Sequence, residues 1–313
     1  MTLIVGVNLS DRIYLAADCR VTTRKDEQLV GSSDCILKIL PLSEDIIVAV
    51  AGSTKLASFL VNGLLKEPII HKGINQLKED IKDWVAREVD QYLSNHNDYT
   101  SVCLMFGGLD RSKQKQIDGK KILDLVKQLQ DKQNLPMHVS DAIFKGLSAV
   151  PGKPNPYPIL PIADSGLFAV VSNTRDILRI DTADWGDFLA YGPRGITKDE
   201  IPKDLFGRLE FAVGGEDPGS AQTLLTAFIK HASEKYELET VGGSVVIMFK
   251  HPSSNANYVA GKVHRLNLKT GEEEIISEIK AEGNQMYGRN QNGVYIPLIP
   301  FNEYSKNKGD YFI

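Results

Sequence analysis

Apolar residues recur along this chain with two periods. In the first fifty residues they form short β-rich runs at 2–7, 12–17, 36–40 and 46–50. Asn8-Leu9-Ser10-Asp11 separates the first two runs, and a Pro-containing stretch at 41–45 separates the last two. Runs of that length between turn-forming residues predict antiparallel strands. The period then lengthens. Leu56, Phe59, Leu60 and Leu64 share one face of a helix over about 54–66, with Ser53 as its N-cap. Ile74, Leu77, Ile81, Trp84, Val85, Val89 and Tyr92 mark a longer amphipathic helix over 73–95. A third begins at Asp217-Pro218 and turns Leu224, Leu225, Phe228 and Ile229 to one side as far as about 236. Further strands are expected at 101–106, 167–171, 177–180 and 263–268, and at 244–249 after Gly242-Gly243. Beyond 285 the pattern fades, and little order is expected there.

This order of strands, paired helices, strands, helix and strand suggests an α+β fold, two antiparallel sheets flanked by helical layers. The stretch 109–164 has a different character. It carries one charged helix near 120–132 and then Pro151, Pro154, Pro156, Pro158 and Pro161. Its apolar content is thin for a core of its own, so it reads as an insertion. The chain is accordingly read as one domain over 2–250, interrupted at 109–164, with an extension over 251–313.

Composition narrows the partners. There are 36 basic and 40 acidic residues, a net charge of −4, whereas a duplex-binding surface needs a basic excess. No nucleic-acid partner is expected. The longest apolar runs fall far short of the ~20 residues of a membrane span, and the start Met-Thr-Leu-Ile-Val-Gly-Val lacks the basic segment of a secretory leader. A cytoplasmic location without membrane contact is expected. Cys19, Cys35 and Cys103 form no C-x-x-C pair, which fits a reducing compartment. The six histidines have no metal-ligand spacing, so neither metal nor cofactor is expected.

Thr2 is the residue with chemistry to offer. A threonine hydroxyl needs a base, and a threonine at a free N-terminus carries one in its own α-amine, whose ordinary pKa is ~7.7–8.0. Methionine before a small residue is readily removed, which would expose Thr2. Lys38 interrupts the apolar run Ile36-Leu37-Lys38-Ile39-Leu40. A lysine buried there needs a carboxylate partner. Asp18 and Arg20 are two apart on a strand and fall on one face.

The segments Thr2-Leu-Ile-Val-Gly-Val, Leu15-Ala-Ala-Asp18-Cys-Arg20-Val-Thr22, Lys38-Ile-Leu and Val50-Ala-Gly52-Ser resemble the proteasome β-subunit family of N-terminal-nucleophile (Ntn) hydrolases. Spacings agree over 2–20 and 38–52, with a longer loop between, and the resemblance covers neither the insertion nor the tail. It implies a four-layer αββα sandwich and a threonine-type peptidase or amidohydrolase acting through an acyl-enzyme. Catalytic roles would fall to Thr2 as nucleophile, Lys38 as the ammonium beside it, Asp18 as that ammonium's partner, Arg20 as a brace, and the Gly52 amide as oxyanion donor. Substrate would be bound by Val21, Thr22, Leu40, Val50 and Thr54. A peptide or protein substrate is implied, as is a homo-oligomeric ring or stacked ring. A regulatory ATPase is a further partner class that the resemblance admits.

The sequence departs from the family late in the chain. Leu238 and Val241 stand where the family commonly has an aspartate and a serine before the double glycine, and Val213-Gly214-Gly215-Glu216-Asp217 replaces its Ser-Gly-Ser. A peptide ligase or transpeptidase on the same fold, or a catalytically inactive ring or scaffold protein, therefore stays open as an alternative.

Overall fold

The computed structural model describes residues 2–9, 12–25, 28–96, 101–117, 160–174, 177–183, 187–192, 218–238, 240–251, 255–266, 270–290 and 292–304. The chain divides into two compact units, 1–110 together with 165–313, and 111–164. Most of the second, with the helix expected near 120–132 and the proline tract up to Pro158, lies outside the described residues.

Two five-stranded sheets dominate the first unit. In one, β1 (Ile4–Leu9) pairs antiparallel with β2 (Arg12–Asp18) and with β11 (Asp187–Tyr191), while β12 (Val245–Lys250) joins β2 to β13 (Asn257–Tyr258). The other runs β10 (Ile177–Ala183), β9 (Leu160–Thr174), β8 (Val102–Ile117), β7 (Ile46–Gly52) and β6 (Ile39–Pro41). Strands covered on both faces read as nearly continuous apolar runs, and β7 is buried at every position.

The two faces of β1 and β2 enter different cores. Ile4, Ile13, Leu15 and Ala17 join Val48, Met105, Phe106 and Leu167 of the other sheet. Gly6 marks how closely the sheets approach, since a Cβ there would lie 2.6 Å from Met105 Sδ and 2.7 Å from Leu167 Cδ1. On the opposite face Leu3, Val5, Val7, Tyr14 and Ala16 pack with Ala221, Leu225, Phe228 and Ile229 of helix α3 (Pro218–Lys235). Helices α1 (Thr54–Leu64) and α2 (Ile74–Asn95) bury the stripes their periodicity predicts, Leu56, Leu60 and Leu64 in one and Ile74, Leu77, Ile81, Trp84, Val85, Val89 and Tyr92 in the other. Ser53 caps α1, its Oγ accepting from Leu56 N at 3.3 Å.

Three features correct the sequence reading. The loop expected after Arg20 is a hairpin of β3 (Val21–Lys25) and β4 (Gln28–Ser33), paired from Val21↔Ser33 to Lys25↔Gln28. The edge strand β11 carried no expectation at all. Strands continue past 285 among the described residues: β16 (Gln285–Arg289) and β17 (Tyr295–Pro297) extend an antiparallel sheet begun by β14 (Gly261–Leu266) and β15 (Glu273–Glu282). β18 (Ile299–Pro300) then pairs in parallel with β5 (Ile36–Leu37), and the short helix α4 (Phe301–Tyr304) follows.

Besides the β12–β13 pairing, that extension is fastened beside Lys38 and beside the double glycine. Ile299 N donates to Cys35 O at 2.8 Å, Phe301 is fully buried, and the Asn302 carbonyl accepts from Ser58 Oγ of α1 at 3.1 Å. At the other place Ser244 Oγ donates to the carbonyls of Glu278 (3.0 Å) and Arg289 (2.8 Å), and Val245 N donates to Ser277 Oγ at 2.9 Å. The first lies just before Lys38, the second just after Gly242-Gly243.

Candidate active site

Asp18 ends β2, where the chain leaves the sheet, and its carboxylate gathers donors from four segments. Oδ1 accepts from Leu3 N at 3.3 Å. Oδ2 accepts from Arg20 N at 3.0 Å, Gly242 N at 3.1 Å and Lys38 Nζ at 3.1 Å. The Leu3 bond places the preceding residue, Thr2, against the same group.

Lys38 sits between β5 and β6. Its neighbours Ile36, Leu37, Ile39 and Leu40 are buried in the core, which draws the lysine stem inward with them. The ammonium has three N–H donors. They go to Thr2 Oγ1, Asp18 Oδ2 and the Arg20 carbonyl, the last at 2.5 Å. Thr2, Asp18 and Lys38 are at most 1% exposed. Burial pushes the Lys38 pKa below its ordinary 10.5, and the Asp18 charge and hydrogen bond oppose that shift. Such a lysine is easier to deprotonate than a solvated one while it stays within reach of the threonine oxygen. The adjacent Cys19 thiol is also buried, which drives its pKa up and keeps it protonated and inert. All three cysteines are free and buried.

Arg20 does not pair with Asp18 through its side chain. Its guanidinium grips Asp34 instead, Nε at 2.8 Å from Oδ1 and the second nitrogen at 3.3 Å from Oδ2. The reason is geometric: β2 stops at Asp18, so the alternation that would put both side chains on one face no longer holds. Gly242 and Gly243 complete the cluster. A Cβ at Gly242 would fall 2.3 Å from Arg20 Cζ, and Gly243 has φ +69° with Asp34 against it. Only glycine fits both demands.

Gly52 ends β7 with φ +106°, and a Cβ there would lie 2.2 Å from the Ser101 carbonyl. Two residues earlier Val50 N donates to Lys38 O at 3.0 Å, which ties β7 to the lysine. Val21 and Thr22 begin β3, Leu40 lies in β6, Val50 in β7, and Thr54 opens α1; all five are buried. A cavity of about 600 Å³ lies on the far side of the cluster, walled by Arg20, Gly242, Gly243, Lys230, Glu278 and Arg289 among others, and Thr2 does not line it.

Thus Thr2, Asp18, Arg20 and Lys38, chosen from sequence, meet in space. Asp34, the Gly242 amide and Lys230 belong to the same cluster and escaped sequence reasoning. Leu238 and Val241 sit in the apolar cluster under α3, consistent with their side chains. The Val213-to-Asp217 segment lies outside the described residues. Among the described residues no group of three or more His, Cys, Asp or Glu side chains is disposed to hold a metal, and no helix is long and apolar enough to cross a membrane.

The result is a buried threonine hydroxyl held by a lysine that is itself held by an aspartate. Residues 2–118 match the family model described as Proteasome subunit. The matched span holds Thr2, Asp18, Arg20, Asp34, Lys38 and Gly52, and excludes α3, the double glycine and the C-terminal strands. No curated protein matches the chain.

Proposed function

We propose that this protein is a threonine-type peptidase or amidohydrolase of the Ntn class, with Thr2 as its nucleophile once Met1 has been removed. The observation that carries the reading is the buried Thr2–Lys38–Asp18 chain of hydrogen bonds. Thr2 Oγ attacks an amide carbonyl while its proton passes to the Thr2 α-amine. The Lys38 ammonium stabilises the developing charge on Oγ, and Asp18 holds Lys38 in place. The Gly52 N–H is assigned to the oxyanion of the tetrahedral intermediate. Collapse expels the amine, which takes the proton, and water then releases the acyl group from Thr2. Val21, Thr22, Leu40, Val50 and Thr54 are assigned to a largely apolar substrate cleft.

The fold is read as the αββα sandwich of that class, because the two faces of the β1–β2 hairpin enter separate cores, one shared with the second sheet and one with α3. The same reading takes 2–250 as the Ntn domain, interrupted at 109–164, and 251–313 as an extension. Proteasome subunits typically form rings, and a homo-oligomeric ring acting on a peptide or protein in the cytoplasm follows from the family.

A second reading, a catalytically silent ring or scaffold subunit, is favoured by one observation. Leu238 and Val241 put hydrocarbon where the family has proton-carrying groups. Turnover of peptide amides by wild type and by Thr2→Ala, with Met1 removal confirmed by mass spectrometry, decides between them. Turnover that vanishes in the variant supports the hydrolase. Full turnover by the variant rules Thr2 out, and inactivity of both favours the silent subunit.

A further inference from the structure

The Gly242–Gly243 turn is held from the side opposite Asp18. Lys230, on α3, donates from Nζ to the Gly243 carbonyl at 2.5 Å. Ser233, almost one turn further along the helix, donates from Oγ to the Val241 carbonyl at 3.2 Å. Between these anchors the Gly242 N–H donates to Asp18 Oδ2, the oxygen that also receives Lys38 Nζ. The turn cannot slide aside, because Arg20 and Asp34 lie against its two Cα positions.

We propose that Lys230 is a positioning residue of the threonine site: it holds the Gly242 N–H on Asp18, and its cation competes with Lys38 for that carboxylate. Both actions weaken the grip of Asp18 on the Lys38 proton. The charged and titratable groups around Lys230 are Asp18, Cys19 and Arg20 from the end of β2, and Asp34 from the segment before β5. Glu234 of the same helix and Arg265, Glu273, Glu274, Glu278 and Arg289 of the C-terminal strands share its cavity wall. Asp18 and Asp34 also act on Lys38, so the two lysines draw on the same two carboxylates. Lys230 is itself shifted down by burial, with Asp18 opposing, which is the behaviour of a cation inside this network and not of a solvated one. In a site whose late residues are Leu238 and Val241, the helix supplies the control that those side chains lack.

The proposal rests on the reading of Lys38 as the group that tunes Thr2, and its test separates the two. Lysine side chains labelled with carbon-13 are titrated by NMR in wild type, Lys230→Met, Lys230→Gln and Lys230→Arg, with Lys38 assigned through Lys38→Arg. The midpoint of Lys38 is expected to rise by roughly one pH unit in Lys230→Met. It should rise less in Lys230→Gln, which keeps a donor, and stay at the wild-type value in Lys230→Arg. An unchanged midpoint in a folded Lys230→Met, or an equal rise in Lys230→Arg, overturns the proposal. If the Met variant does not fold, Lys230→Gln is judged by the same criterion. Acylation of wild-type Thr2 by a hydroxyl-directed β-lactone is measured in parallel. A shifted Lys38 with no acylation removes the hydrolase reading and leaves the electrostatic role of Lys230 standing.

Discussion

Lys38 Nζ lies 3.1 Å from Asp18 Oδ2, and neither side chain reaches solvent. Two charges taken out of water repay their desolvation only as a hydrogen-bonded pair, so removing one partner leaves the other stranded. Asp18→Asn is expected to lower the unfolding free energy by ~3–5 kcal/mol. The double variant Asp18→Asn with Lys38→Met should recover part of that loss. A denaturant series on the two single variants and the double variant checks this, and additive losses would contradict the pairing.

The same lysine sets a pH dependence. Its folded pKa lies below 10.5, so between that value and 10.5 the unfolded chain holds a proton the folded chain has lost. Stability therefore rises with pH across that interval, by at most about 1.4 kcal/mol per unit for a full proton. Buried Cys19 and Cys103 act the other way above their ordinary value of 9.0, because the folded state keeps their protons. Lys230, also shifted down by burial, adds to the rise, so Lys38→Met should reduce it without abolishing it. Acylation of Thr2 should climb as the α-amine loses its proton and fall again once the Lys38 ammonium loses its own.

Gly52→Ala should be among the most damaging single-methyl additions in the chain. It combines φ +106° with a Cβ 2.2 Å from a backbone oxygen that also receives Ser53 N. A loss of more than about 2 kcal/mol is expected, with Thr2 acylation falling as β7 moves away from Lys38. Gly31→Ala is the control, because nothing lies within 4 Å of its Cβ. Thermal unfolding of the pair should separate them clearly.

The C-terminal extension is predicted to matter at the site although none of its described residues bonds to Thr2, Asp18 or Lys38. Phe301 is fully buried, and β18 pairs with Ile36 and Leu37, immediately before Lys38. Phe301→Ala should cost about 3–5 kcal/mol and slow acylation of Thr2 more than an equally destabilising core variant in α2 does. Equal slowing at equal stability would show that the extension serves the fold alone.

Much of this was legible because it is local. Helices α1 and α2 announce themselves by apolar period, and Lys38 by standing inside an apolar run. What stayed hidden depends on contacts distant in sequence. Asp34 shows its role only when the chain folds back to bring Arg20 onto it, fourteen residues away. Lys230 reads as one more polar residue of an amphipathic helix until Gly243 is placed over it. The β3–β4 hairpin is largely polar in sequence, and β16 and β17 are half exposed, so alternation carries little signal there. β18 is two residues long and stable only through its partner β5.

The most direct measurement is mass spectrometry of the purified protein before and after treatment with a β-lactone, with the modified peptide sequenced. The predicted result is an N-terminus at Thr2, one acyl group on Thr2 Oγ, and loss of labelling in both Lys38→Met and Thr2→Ala. An intact Met1 with no adduct on Thr2, or an adduct that survives Lys38→Met at the full rate, would contradict a threonine nucleophile governed by Lys38.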